Sequence, residues 1–150
     1  MNPTIRRATV DDVDAIAPLF DRYRMFYQQP SDPALAQRFI GERLQRGESV
    51  IFLAEVGGKV AGFTQLFPSF SSVRAGRAFV LNDLYVDIAA RRLGVARALV
   101  QAATDFARNE GAIRLELETD HDNRSAQALY RQMGWELYEG TLRFRLSLSD

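Results

Sequence analysis

Apolar positions recur along this chain with two periods, one near 3.6 residues and one of 2, and the switches between them mark out a succession of helices and strands. Thr4 to Ala8 suits a short opening strand. Thr9 is then placed to cap a helix carrying Val13, Ile16, Ala17 and Phe20 on one side. After Tyr23 to Tyr27 the stretch Gln28-Gln29-Pro30-Ser31-Asp32-Pro33 breaks the pattern, and Leu35, Phe39, Ile40 and Leu44 define a second helix ending near Gly47. Ser49 to Val56 and Lys59 to Phe67 read as strands joined by Gly57-Gly58, a two-residue hairpin signal. Pro68 to Gly76, with Ser69, Ser71 and Ser72, is expected as a polar loop. A strand over Phe79 to Asp87 follows it, and then a helix from about Leu93 to Asn109 with Gly111 as its stop. Ile113 to Thr119 alternates apolar and polar side chains as a half-buried strand does. A helix from about Arg124 to Met133 closes at Gly134, and Trp135 to Tyr138 and Leu142 to Leu148 read as two more short strands. The order β-α-α-β-β-β-α-β-α-β-β predicts an α/β (α+β) fold, a mixed and mainly antiparallel sheet with helices packed on it. Three strands in succession argue against a doubly wound fold. No repeat, low-complexity tract or linker interrupts the pattern, so residues 1–150 are expected to form one domain.

The junction between the third strand of that run and the following helix carries the first chemical signal. Phe79-Val80-Leu81-Asn82-Asp83-Leu84-Tyr85-Val86-Asp87 leads into Arg91-Arg92-Leu93-Gly94-Val95-Ala96-Arg97. The early amides of a helix have no intrahelical partner and attract anions. Gly94 and Ala96 leave the backbone open to close approach, and Arg91, Arg92 and Arg97 add positive charge. A pyrophosphate fits such a helix start, and a nucleotide-bearing cofactor is the first hypothesis.

Composition narrows the classes. Nineteen basic residues balance nineteen acidic ones, so nothing global favours nucleic acid or an anionic membrane surface. No run of about 18 apolar residues and no signal-peptide core is present, which makes a cytoplasmic protein the expectation. Without cysteine there is no disulfide, no thiolate metal site and no cysteine acyl-enzyme. His121, the single histidine, reads as a polar loop residue, and no metal site is expected. Ser71 and Ser72 lie outside Gly-x-Ser-x-Gly and carry no hydrolase signature.

A second block, Asp122-Asn123-Arg124-Ser125-Ala126-Gln127-Ala128-Leu129-Tyr130-Arg131-Gln132-Met133-Gly134-Trp135, follows Arg91-x-x-Gly94-x-Ala96 in order. With these two blocks and this element order, the chain resembles the GCN5-related N-acetyltransferase (GNAT) superfamily from end to end. Gly62 to Ser72 is similar to the branch that contains the yeast histone and polyamine acetyltransferases. The resemblance implies acetyl-CoA as acyl donor, with its pyrophosphate on the amides of Arg92, Leu93, Gly94, Val95, Ala96 and Arg97 beside Arg91. It further implies that the pantetheine arm pairs like an added strand against Leu84, Tyr85 and Val86, that Asn123 bonds that arm, and that Tyr130 protonates the departing thiolate. The family usually has glycine where this chain has Ala96. A homodimer is also implied, and the apolar strand Leu142 to Leu148 offers an edge for it.

Asn123 and Tyr130 lie seven residues apart, close to two helical turns, so both can face one cleft. Capping is an equally ordinary use of Asn123, and Tyr130 is also placed to fill space beside Trp135. An alkylamine is protonated at neutral pH, so a base is needed before it attacks. Asp83 leads as that base, directly or through water, with Glu116 and Glu118 as rivals; a surface carboxylate or a loop tether is the commoner use of such an aspartate. The resemblance also implies a backbone N–H near Tyr85 or Val86 for the oxyanion. Tyr23, Phe26 and Tyr27 suit an aromatic wall for a cationic acceptor, and equally suit core packing. The expected function is acetyl transfer from acetyl-CoA to a small-molecule primary amine by direct attack in a ternary complex. A protein lysine or N-terminal acetyltransferase and a noncatalytic acyl-CoA sensor stand as alternatives.

Overall fold

A computed structural model describes residues 2–149. The chain divides into two compact units, Met1–Glu118 and Thr119–Asp150. The first unit holds a five-stranded sheet in the order β1-β2-β3-β4-β5, built from Thr4–Arg7, Val50–Val56, Lys59–Ser71, Gly76–Val86 and Arg114–Glu116. The first three pairings are antiparallel and β4 pairs β5 in parallel. Three α-helices belong to this unit: α1, Val13–Phe26; α2, Pro33–Gln45; and α3, Val95–Asn109. The expected class, a mixed and mainly antiparallel sheet flanked by helices, is the one observed.

Alternation in β2 sorts the two faces. Ile51 and Leu53 enter a core with Ile16, Ala17, Leu19 and Phe20 of α1 and Ala36 and Ile40 of α2. Phe52 and Ala54 turn the other way, toward Val95 and Leu99 of α3. The start of α1 is held by a reciprocal cap: Thr9 accepts from the Asp11 amide while the Asp12 carboxylate accepts from the Thr9 amide at 2.8 Å. Asp21 fixes the connection to α2 by accepting from Ser31 Oγ at 2.7 Å and from the Asp32 amide at 2.8 Å, and these bonds hold its carboxyl below the usual range.

Gly62 of β3 sits where a side chain has no room. A Cβ there would lie 2.8 Å from the Tyr85 carbonyl oxygen and 3.2 Å from Val95 Cγ1. Gly62→Ala is expected to lower stability by about 2 kcal/mol, the usual cost of overpacking. Thermal denaturation would show it as a melting temperature several degrees lower.

The hairpin of β3 and β4 departs from the sequence reading. Pro68 to Gly76 is not a loop: the ladder continues through Ser69↔Ala78 and Phe70↔Arg77 to Ser71↔Gly76, leaving only residues 72–75 in the turn. Pro68 is tolerated because β2 pairs no further than Leu66, so β3 has a single neighbour there and one missing N–H is affordable. The strand expected over Ile113 to Thr119 shrinks to Arg114–Glu116, opposite Ala78, Phe79 and Val80 of β4.

A second departure concerns β4 itself. Gln65 pairs Asp83 but the next residue, Leu66, pairs Leu81, so Asn82 is an extra residue in the ladder. Such a bulge reverses the side-chain alternation. Phe79 lies against Phe106 of α3, with ring centroids 5.3 Å apart, whereas Tyr85 belongs to the core under α1 and α2. Asp83 therefore faces α1 rather than α3.

The second unit contains α4, Arg124–Gln132, capped by Asn123, whose Oδ1 accepts from the Ala126 amide at 3.3 Å. The strands expected at Trp135 to Tyr138 and Leu142 to Leu148 are not formed. An alternating pattern becomes a strand only beside a partner edge, and here Leu142, Phe144, Leu146 and Leu148 are each more than four-fifths exposed.

Candidate functional site

The exit of β4 assembles most of the residues singled out in the first unit. Leu84, Tyr85 and Val86 pair with Thr64, Phe63 and Gly62 of β3 on one side. On the other side β5 covers only Ala78 to Val80, so from Leu81 to Val86 this edge of β4 has no strand beside it among the described residues. Backbone groups on such an edge are available to an extended ligand. Arg91 caps the exit: its Nε donates to the Val86 carbonyl at 3.1 Å, and its guanidinium lies 5.9 Å from the Tyr85 ring centroid.

The chain then turns before α3 begins. Arg92 has φ 67° and Gly94 φ 77°, on either side of Leu93. A left-handed residue without a glycine is uncommon and marks a loop held by its surroundings. Left-handed turns of this kind form concave nests of N–H groups. Gly94 is the N-cap of α3, and the first helical bond runs from the Ala98 amide to the Gly94 carbonyl at 3.1 Å. The amides of Val95 and Ala96 precede it. The helix starts two residues later than the expected Leu93, because Gly94 takes the left-handed conformation. A Cβ built on Gly94 meets no atom within 4 Å, so the cradle has open space in front of it. A pyrophosphate group fits this arrangement of donors and room.

Under α1, Asp83 is 1% exposed and sits in a cluster of neutral polar groups. Gln65 Nε2 donates to its Oδ2 at 2.7 Å and Asn82 Nδ2 to its Oδ1 at 2.8 Å. The Tyr23 hydroxyl also reaches the carboxylate, and donates to the Asn82 carbonyl at 3.1 Å. Burial pushes the Asp83 carboxyl up to about 6, against the opposing pull of Asn82, Gln65 and Tyr23, which favour the charged form. Gln65 Oε1 is buried with no hydrogen-bond partner among the described residues. Gln65 and Asn82 were not among the expected site residues. Their signal was available, because Thr64-Gln65 interrupts an apolar run in mid-strand, where a buried amide needs a partner.

Tyr23 packs between core and surface, with ring centroids 6.1 Å from Phe20, 6.0 Å from Phe63 and 5.2 Å from Tyr27. Phe26 meets Tyr27 edge to face at 5.2 Å, and both are open to solvent, 58% and 40% exposed. The aromatic wall is thus partly core and partly surface. The rivals of Asp83 are differently placed: Glu116 is exposed and paired with Arg114, and Glu118 lies beyond the end of β5.

In the second unit Tyr130 is buried on α4, its ring 5.7 Å from that of Trp135. Asn123 spends its Oδ1 on the helix cap. Among the described residues no cluster of histidine, cysteine, aspartate or glutamate is built for a metal ion, and no helix is long and apolar enough to cross a membrane.

Comparison with known proteins places the chain among relatives. Residues 14–135 match the model of the acetyltransferase (GNAT) family. The chain is 47% identical over 144 residues to the "Uncharacterized N-acetyltransferase YhfO" of Bacillus subtilis, covering 96% of this chain and 97% of that protein. It is 31% identical over 139 residues to a "Probable acetyltransferase" of Haemophilus influenzae, covering 92% and 93%. A crystal structure of "a probable acetyltransferase" superposes with a TM-score of 0.93 at 41% identity, over 98% of this chain and 99% of the other.

Proposed function

The chain belongs to the acetyltransferase (GNAT) family, and on that premise we propose that it moves the acetyl group of acetyl-CoA to the primary amine of a small molecule, by direct attack in a ternary complex. The observation that carries this reading is the unpaired edge of β4 running straight into the amide nest at Arg92 and Gly94. An arm containing amides pairs with the edge along Leu84 to Val86, and its pyrophosphate rests on the nest and the start of α3. Both parts lie on one continuous stretch of chain. Acetyl-CoA supplies the activated thioester; the protein residues orient it and manage protons.

Asp83 takes the acceptor's proton. A carboxyl pushed up to about 6 is mostly ionised at neutral pH yet basic enough to accept a proton, which suits a general base better than an ordinary exposed carboxylate does. Tyr130 returns a proton to the thiolate, and Asn123 contributes to holding the arm. Tyr23, Phe26 and Tyr27 form the acceptor side, where rings favour an ammonium group.

The test mixes the protein with acetyl-CoA and a panel of polyamines, amino acids, aminosugars and peptides, and follows CoA release. Turnover of small amines is expected. A signal confined to peptides would replace the small acceptor with a protein one, and binding without turnover across the panel would make the protein a sensor.

The exposed alternation of Leu142, Phe144, Leu146 and Leu148 supports a homodimer in which this segment finds its ladder on a second copy. Sedimentation is expected to show twice the chain mass of 16.9 kDa. A monomer at all working concentrations would end that assignment.

A further inference from the structure

We propose that Tyr23 is the proton relay between the acceptor amine and the buried carboxylate of Asp83, a role that rests on the assignment of Asp83 as the base. Asp83 is 1% exposed, so an amine outside the core does not reach it. Three side chains do reach it: Gln65 from β3, Asn82 from β4 and Tyr23 from α1. Two of these are carboxamides, whose nitrogens donate hydrogen bonds but do not surrender protons at neutral pH. The third is a hydroxyl, which donates and accepts on one oxygen. Among the described residues Tyr23 is therefore the one neighbour chemically able to pass a proton on.

Its position fits the task. The ring touches Phe20 and Phe63 on the core side and Tyr27 on the other, and Tyr27 and Phe26 open to solvent. The hydroxyl donates to the Asn82 carbonyl at 3.1 Å, and turning about its C–O bond aims the same hydrogen at the carboxylate. The bulge at Asn82 is what brings Asp83 to this face; without the extra residue the carboxylate would point toward α3.

The transfer balances simply. The acceptor's ammonium gives a proton to Tyr23 Oη as the hydroxyl's own proton passes to Asp83. The amine is left neutral with its lone pair free, the phenol unchanged, and the carboxylate neutralised. The proton returns to solvent by the same path after the acetyl group has moved.

Among the described residues the side chains that bear on the Asp83 carboxylate are these three neutral ones. Arg22 of α1 is turned to Asp87 at 3.5 Å, Arg114 and Glu116 of β5 pair with each other beside Ala78 to Val80, and α3 lies on the opposite face. Gln65 and Asn82 hold the two carboxylate oxygens in place while the phenol moves.

Tyr23→Phe removes the oxygen and keeps the ring contacts. CoA release is measured with benzylamine and with O-benzylhydroxylamine, whose nitrogen is unprotonated at neutral pH and needs no base before attack. With benzylamine the rate is expected to fall about a hundredfold; with the hydroxylamine it is retained. Equal loss on both acceptors would overturn the relay. Tyr23→Phe, Asp83→Asn and the double variant should lose the same factor on benzylamine, since relay and base act in series. If Asp83→Asn keeps full rate, the base assignment fails. If Asp83→Asn is slow while Tyr23→Phe is fast, the base stands and the relay falls. A readout free of turnover is the ¹³C titration of the Asp83 carboxyl by NMR: in Tyr23→Phe it moves to higher pH, because the ionised form loses a donor, and an unmoved titration would also overturn the proposal.

Discussion

Asp83→Asn is expected to lower kcat by a factor of about 10² to 10⁴, the range seen when a general base is removed, while making the folded protein more stable at pH 8. The two effects share one cause. Burial at 1% exposure disfavours the charged carboxylate and raises its proton affinity to about 6, where an unfolded chain would hold it near ~4. The native state thus binds this proton more tightly than the unfolded state does. The resulting stabilisation is fully present below about pH 4 and is lost as the pH rises through 6, an effect of about 3 kcal/mol. Asparagine cannot ionise and escapes that loss. Its amide also finds a partner, because Gln65 Oε1 is unbonded and can turn to accept. Melting temperatures from pH 4.5 to 8 should converge at the acid end and separate toward the basic end, with the variant higher. Equal melting curves at every pH would show that folding leaves the proton affinity of Asp83 unshifted, and would remove the raised affinity on which its assignment as a base rests.

Tyr130→Phe is expected to slow kcat by about a hundredfold with little change in the dissociation constant for acetyl-CoA. The substitution removes one oxygen and leaves the ring that packs beside Trp135 in α4, so the unit keeps its fold. A phenol keeps its proton at neutral pH and gives it up only to a strong base such as a departing thiolate, so the loss should fall on the chemical step and not on binding. Single-turnover kinetics and calorimetric titration with acetyl-CoA separate the two. A variant with the parent kcat would remove Tyr130 from the chemistry and leave it a packing residue.

These variants test two proposed roles separately, Asp83 and Tyr23 for the nucleophile and Tyr130 for the leaving group. The proposed donor side rests on local backbone: the β4 edge with no strand beside it among the described residues, the left-handed residues Arg92 and Gly94, and the first turn of α3. The acceptor side depends on what α1 lays over the bulge.

That division is also the line between what was legible in the residues and what was not. Most helix and strand identities, the Gly57-Gly58 turn and the family itself follow from local pattern, because a period, a glycine or a helix terminus has its physical effect within a few residues. The long β3–β4 hairpin was hidden by Pro68 and the serines, which look like loop until the missing neighbour beyond Leu66 makes them acceptable in a strand. The alternation in Leu142 to Leu148 was legible, but whether it becomes a strand is decided by a partner edge. Asp83 stands out in the sequence by its place on the strand that leads into the Arg91 to Ala96 block. Nothing local told which face it would occupy, since one extra residue at Asn82 reverses every side chain after it. Sequence alone therefore determined most of the elements and the family, which rest on short-range pattern. Tertiary structure decided the burial of Asp83, its rise to about 6 and its meeting with Tyr23 and Gln65, because ladder register and desolvation are set by residues far apart in the chain.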